Sequence, residues 1–428
     1  MAVPPGVSGR YLGDSSVLRS GGRVYLAPGR FEPVTAAVTG CERASVRASQ
    51  QWLASGIIPG TGAQQRSMAI RALLDLRLST RPNGAVVAGW HTGWRYAWPR
   101  DSSWVAVALA DTGHASDSLR ILRFLQRTQL TGGRWAARYW PDGSGPVRDG
   151  RPIELDAGGW VPWAVWSWAT AAGAGATGGG ATGAGTARLQ LPDSGPLRDE
   201  LTGLWPMVSA AANAAARSLT PDGLPAASMD YWEDSVQVTL GTAAPLLAGL
   251  RAAADIARTL GDPGPARRWA AAADRLSRAI QAGFGRYGYH RLPRDHSGAD
   301  AAVTFLGPPF AAAGASVTQA VTRAENALTL PGGGVLPGSD FPGSSSVAWT
   351  AETAFFALWA ASAGDRRKSG AILSWLAAHR TSLGALPEQV TAQGRPVSVA
   401  PLAWTGAVVL LALIAQRHPL QIPAVPGP

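Results

Sequence analysis

The chain has 428 residues, 46% of them hydrophobic, and a formal net charge of +10. No apolar run approaches the roughly 20 residues of a membrane span; the longest, Ala407 to Ala415, reads as a buried helix. The charge comes almost wholly from Arg, with Lys368 the only lysine, and the Arg are spread rather than clustered, which argues against a nucleic-acid partner. Cys41 is alone and the six His show no metal-ligand spacing, so neither a disulfide framework nor a metal or other cofactor is expected.

Met1-Ala2-Val3-Pro4-Pro5-Gly6 lacks the basic start and apolar stretch of a signal peptide, which sets a cytoplasmic location as the expectation. Residues 1–61 read as a Gly- and Pro-rich extension, with a small hairpin around Arg23-Val24-Tyr25-Leu26 and a linking helix. Residues 62–428 read as the main domain. From about residue 44 the pattern predicts helices near 44–55, 62–78, 101–112, 116–129, 158–172, 198–218, 236–260, 264–284, 315–329, 347–364, 366–380 and 400–416, with a short weak one near 300–306. Ile121, Phe124 and Leu125 form one apolar stripe, as do Leu246, Leu250, Ala253 and Ala257, or Ile372, Trp375, Leu376 and His379. Ser116-Asp117 and Asp234-Ser235 are candidate N-caps. Ala171 to Ala187 is nearly all Ala, Gly and Thr and reads as a flexible surface loop. It contains a formal G-x-G-x-x-G, Gly173 to Gly178, but no strand precedes it, so a dinucleotide site is rejected. Helices joined as successive hairpins predict an all-α protein, an (α/α)6 toroid of two concentric rings.

Acids are scarce, 28 Asp and Glu against 18 Trp. Three short segments place carboxylates beside aromatic or amide groups at breaks between predicted helices. They are Tyr96-Ala97-Trp98-Pro99-Arg100-Asp101, Asp230-Tyr231-Trp232-Glu233-Asp234 and Leu386-Pro387-Glu388-Gln389. Two carboxyls flanking a sugar cleft are what glycosidic hydrolysis needs, one to give a proton and one to activate water.

These segments, with Pro82-Asn83-Gly84-Ala85-Val86-Val87-Ala88 and Ala400-Pro401-Leu402-Ala403-Trp404-Thr405, resemble the glucoamylase-type enzymes of glycoside hydrolase family 15. Order and spacing match over about residues 62–416. The resemblance implies an (α/α)6 catalytic barrel, inversion at the anomeric carbon, and an α-linked glucose oligosaccharide or polysaccharide as partner. It implies Glu233 as general acid and Glu388 as general base. Arg100 and Asp101 would grip hydroxyls of the terminal sugar, a charged donor beside a charged acceptor. Tyr96, Trp98, Asp156, Trp232, Asp234, Gln389 and Trp404 complete the expected sugar site.

Each position also has a plainer reading. Asp101, Asp156 and Asp234 are possible N-caps, Glu233 and Glu388 loop or helix-start acids, and Trp404 core packing. Tyr231 and Trp232 would give Glu233 apolar surroundings that raise its pKa. Gln389 would orient Glu388 or touch sugar. Glu352 is a competing base but reads as structural, early in a helix. Trp90, Trp94, Trp140 and Trp160 suit stacking on sugar faces as well as core. The family segment around Asp156 usually has Gln where Glu154 stands. Residues 1–61 are too few for the β-sandwich that precedes the barrel in many bacterial members, so chain-length preference does not transfer. A trehalase of the same family and a non-catalytic sugar-binding toroid are the alternatives.

Overall fold

The computed structural model describes residues 17–20, 23–26, 40–177, 186–294 and 298–424. Strands β1 (Val17–Ser20) and β2 (Arg23–Leu26) pair antiparallel, Val17 opposite Leu26. Twelve α-helices follow among the described residues: α1 (Gly40–Ala54), α2 (Ala63–Ser79), α3 (Pro99–Asp111), α4 (Ala115–Thr128), α5 (Ala157–Thr177), α6 (Pro196–Arg217), α7 (Leu240–Thr259), α8 (Pro263–Gly283), α9 (Ala315–Leu328), α10 (Thr350–Ser362), α11 (Arg366–Ala378) and α12 (Ala403–Ala415).

Five of them, α3, α5, α7, α10 and α12, stand side by side in an inner ring. Between α7 and α10 the circle is closed by a single 3-10 segment, Ala301–Leu306. Outside lie α4 against α3, α6 against α5, α8 against α7, α9 against the 3-10 segment, α11 against α10 and α2 against α12. This is an (α/α)6 toroid with one inner helix shortened to 3-10 turns. The shortening has a local cause: Gly307-Pro308-Pro309 follows at once, and proline neither donates to a helix nor fits its interior.

The residues separate the rings. Every residue of α12 is buried, as are all of α3 up to Ala110. A helix apolar on all sides has to sit between others. The outer α4 buries only Ser118, Ile121, Leu122, Phe124 and Leu125 and turns its Arg outward. Inner helices come very close where Gly allows it: a Cβ on Gly159 would lie 2.1 Å from the Pro245 carbonyl oxygen. The axis is filled by aromatic rings from five inner elements, Trp104, Trp160 and Trp163, Phe305, Phe355 and Trp404. Trp104 lies 5.1 Å from Trp160, 5.8 Å from Phe355 and 6.2 Å from Trp404 between centroids. The ring is thus a cup with a packed floor rather than a pore.

Several sequence expectations change. Helix α5 continues to Thr177, through half of the segment read as a loop. At that segment's far end, Thr186–Ala187 (β3) pairs parallel with Ile422–Pro423, so only its middle, residues 178–185, lies outside the described residues. The caps also differ. His114 is the N-cap of α4, and Asp117 inside the first turn accepts the indole N–H of Trp52 at 2.7 Å. Thr239, not Asp234-Ser235, caps α7 by accepting from the Thr242 amide. Among the described residues no helix is long and apolar enough to cross a membrane.

Candidate active site

The N-terminal ends of the inner helices meet at one mouth of the toroid. Arg100 and Asp101 sit in the first turn of α3, Asp156 immediately before α5, Asp300 before the 3-10 segment, Glu352 in the first turn of α10 and Trp404 in that of α12. Helix N-termini carry partial positive charge, so a ring of them favours carboxylates and polar ligands.

Arg100 is the hub. Buried to 5% exposure, its guanidinium lies 2.5 Å from Glu154, 3.3 Å from Asp156, 3.6 Å from Asp101 and 3.5 Å from Glu233. It also lies 5.0 Å over the Trp404 ring. Glu154 is therefore a partner of this guanidinium. Burial raises the Glu154 carboxyl to about 8 and Asp101 to about 6 despite Arg100, and raises Asp156 as well.

Glu233 stands at the end of a tight turn. Asp230 accepts from the Trp232 and Glu233 amides, at 3.0 and 2.9 Å. Glu233 itself holds φ at 53°, a conformation that costs a non-glycine residue about 1–3 kcal/mol. Its carboxylate accepts from the Trp98 indole at 2.7 Å and pairs with Arg100 and Arg151. The apolar sheath expected from Tyr231 and Trp232 is absent, because both rings turn away. Tyr231 donates to Asp300 at 2.6 Å and packs toward Phe355 and Trp404. Trp232 lies under the Arg291 guanidinium at 3.5 Å and against Phe341.

Glu388 precedes β5 (Gln389–Val390), the middle strand of a small antiparallel sheet between β4 (Ala348–Trp349) and β6 (Pro396–Val397). Its carbonyl accepts from the Thr350 amide at 3.0 Å, tying it to the start of α10. Its carboxylate accepts from the Trp94 indole at 3.0 Å and from the Ser398 hydroxyl. Burial raises its pKa, and these two donors oppose the rise by favouring the anion. They, rather than Gln389, orient it; Gln389 pairs in the strand with Trp349 and Val397.

Comparison with known proteins follows this geometry. A solved glycosidase in complex with glucose superposes with a TM-score of 0.69, at 18% identity over 83% of this chain and 99% of that one. A bacterial glucoamylase complexed with acarbose gives 0.67 at 15% identity, covering 90% of this chain and 60% of that one. The glucoamylase of Saccharomycopsis fibuligera gives 0.63 at 16%, covering 86% and 95%. The fold is that of the glucoamylases. In sequence, an uncharacterized glycosyl hydrolase of Methanocaldococcus jannaschii is 29% identical over 101 residues, 23% of this chain and only 16% of that relative. No family model matches the chain.

Of the expected sugar-site residues, Arg100, Asp101, Asp156, Trp98, Glu233 and Trp404 share the cup, and Glu388 lies within electrostatic reach of Asp101. Tyr96 lies at the rim beside Trp98 and Trp140, with Arg138 4.3 Å over its ring. Asp234 is exposed on the same turn as Glu233. Among the Trp proposed for stacking, Trp160 is 0% exposed inside the aromatic floor and is core, whereas Trp140 is 44% exposed. Sequence reading missed Arg151, Arg291, Asp300 and Ser398. Arg291 bridges Asp230 at 2.8 Å and Asp300 at 3.1 Å, a clamp between loops 61 and 9 residues away in sequence. No local pattern marks such a pair; the only signal was a lone Arg after His290.

The buried acids give the stability a sign. Asp75, Asp101, Asp111, Glu154 and Glu352 hold their protons to about 6, 6, 7, 8 and 8, in each case chiefly through burial. The folded chain therefore binds more protons than the unfolded one above about pH 4, and this contribution is lost as pH rises through 6 to 8. Exposed Asp142, Asp149 and Asp222, held low, act oppositely and only in acid. Tm by scanning fluorimetry should be higher at pH 5.5 than at pH 9. A Tm rising across that span would contradict this account.

Proposed function

We propose that this chain hydrolyses α-glucosidic bonds with inversion, releasing β-glucose from non-reducing ends. One observation carries the reading. Glu233 and Glu388 flank the same dipeptide: Arg100 touches Glu233, and Asp101 lies in the field of Glu388. The two carboxyls come from different loops, each is held by an indole N–H, and between them is a donor–acceptor pair suited to adjacent sugar hydroxyls. The glucose and acarbose complexes of the structural neighbours support a glucose-type ligand.

In this reading Arg100 and Asp101 seat the terminal sugar over Trp404. Glu233 gives its proton to the glycosidic oxygen as that bond breaks. The Trp98 indole and the guanidiniums of Arg100 and Arg151 then stabilise the carboxylate left behind. Glu388 removes a proton from a water that attacks the anomeric carbon from the opposite face. Its two donors favour the anion that this step needs, against the burial that raises its pKa. A sugar-binding toroid without catalysis would have no use for two carboxyls so placed, and a trehalase would use the same steps on another aglycone.

The test is stereochemical. Wild-type protein with an α-glucoside should give β-glucose first by proton NMR, before mutarotation. Early α-glucose would mean retention, with Glu388 as nucleophile. A panel of maltose, isomaltose and trehalose identifies the aglycone.

A further inference from the structure

The end of the toroid opposite the candidate active site holds a cavity of about 500 Å3. It lies behind the aromatic floor and shares Trp163 with it. That ring packs 5.3 Å from Trp104 and 5.0 Å from Phe310 between centroids, and it also lines the cavity. Val107 and Asp111, one turn apart on α3, face the space together. So do Trp163, Ser167 and Thr170 along one side of α5, and Ile414 near the end of α12. The size is that of a small-molecule site, and so is the make-up, mostly apolar walls with a few polar groups.

Two of those polar groups serve nothing within the fold. Among the described residues the Asp111 carboxyl has no hydrogen bond or ion pair, and neither has the Ser167 hydroxyl. Thr170, by contrast, donates to the Trp166 carbonyl at 2.9 Å. In the cup, Asp101 and Glu154 are buried too, yet each has Arg100. At this end the other ionisable group lining the cavity is the exposed His418. Burial with nothing opposing it raises the Asp111 carboxyl to about 7. A carboxylate on an apolar wall is costly until an opposite charge meets it.

The backbone favours the same sign of ligand. Asp111 is the last residue of α3 and Ile414 stands in the last turn of α12, so the negative ends of two helix dipoles converge here. The catalytic mouth is the reverse, ringed by N-termini. An ammonium has only donors to offer, and the Asp111 carboxylate and the Ser167 hydroxyl are the acceptors for it.

We propose that this cavity is a second ligand site, separate from the sugar cup, for a small organic amine. Its ammonium binds Asp111 and Ser167, and its apolar body lies against Val107, Trp163 and Ile414. The proposal is independent of the glucosidase reading, since none of its polar contacts belongs to the cup.

Calorimetry on the full chain at pH 8, where Asp111 is ionised, tests it with three probes of one shape. 4-Phenylbutylamine, 4-phenylbutanol and 4-phenylbutyrate carry a cation, a neutral hydroxyl and an anion on the same body. The amine should bind at least about 10-fold more tightly than the alcohol, the scale of one hydrogen bond to a charged group, and the acid should bind weakest. Asp111→Asn should bring the amine down to the affinity of the alcohol and leave the alcohol unchanged. Ala171→Phe, which places a ring in the cavity, should remove binding of both. An amine no better than the alcohol, no binding by any probe at millimolar concentration, or a preference for the amine that survives Asp111→Asn would each overturn the site. Amine binding that survives Ala171→Phe would place the probe among the acids of the cup and sink the proposal as well. Ser167→Leu serves if Ala171→Phe does not fold. If Asp111→Asn does not fold, the order amine, alcohol, acid on the wild type decides, and any other order counts against the site.

Discussion

Glu233→Gln and Glu388→Gln should each lower kcat by about 10²-fold or more while leaving the fold intact. Both residues stand on connections between helices, and neither carries core packing. Gln keeps the Trp98 and Trp94 hydrogen bonds through its carbonyl oxygen, so a change in activity reports the lost proton chemistry rather than a collapsed loop. In Glu388→Gln the amide nitrogen replaces the oxygen that accepts from Ser398, and the Ser398 hydroxyl has to turn from donor to acceptor. Steady-state rates with Tm measured on the same preparations check this. A variant turning over like wild type would remove that residue from the mechanism. Low activity with a Tm lowered by roughly 10 °C would make its role structural.

Arg100→Met should abolish turnover of every glucoside, short or long, and destabilise the fold as well. Removing one partner of a buried ion pair typically costs about 3–5 kcal/mol, because the charges left behind have no compensation. Here Glu154, Asp156 and Asp101 would all lose their cation. Those acids would then hold their protons to still higher pH, so the loss of Tm should be larger at pH 8 than at pH 5. Adding Glu154→Gln should recover part of the stability and none of the activity. Asp101→Asn separates the two roles. It follows Pro99 and Arg100 inside the first turn of α3, whose N-cap is Trp98, so it is not the cap. Its change should therefore impair all glucosides with a small effect on Tm. A variant defective only in stability would return Asp101 to a helix-start role.

The helices were legible because their periodicity is local. Ile121, Phe124 and Leu125 are each no more than 1% exposed, as are Leu246, Leu250, Ala253 and Ala257, all as their spacing requires. The capping residues were less legible. Ser116-Asp117 and Asp234-Ser235 satisfy the compositional rule, yet the chain enters α4 and α7 elsewhere. At Asp117, an indole from α1 takes the carboxylate, a distant partner that no window around residue 117 contains. The low-complexity segment misled for a related reason. Its Ala and Gly are weak signals alone, but α5 is an inner helix that runs to Thr177, and around Gly173 it packs near Gln190, Leu191 and Leu197.

The amino-acid sequence by itself determined the all-α class, the hairpin order of helices and the three carboxylate-bearing breaks, since these depend on residues a few positions apart. Only the tertiary structure decided what each carboxylate experiences. It set Glu233 among an indole and two guanidiniums instead of an apolar sheath, gave Glu154 to Arg100, and sent Trp160 into the floor and Trp140 to the rim. Burial and partnership arise from distant segments, as between Trp94 and Glu388, 294 residues apart, and the free energy of a charge depends on those neighbours far more than on its own place in the chain.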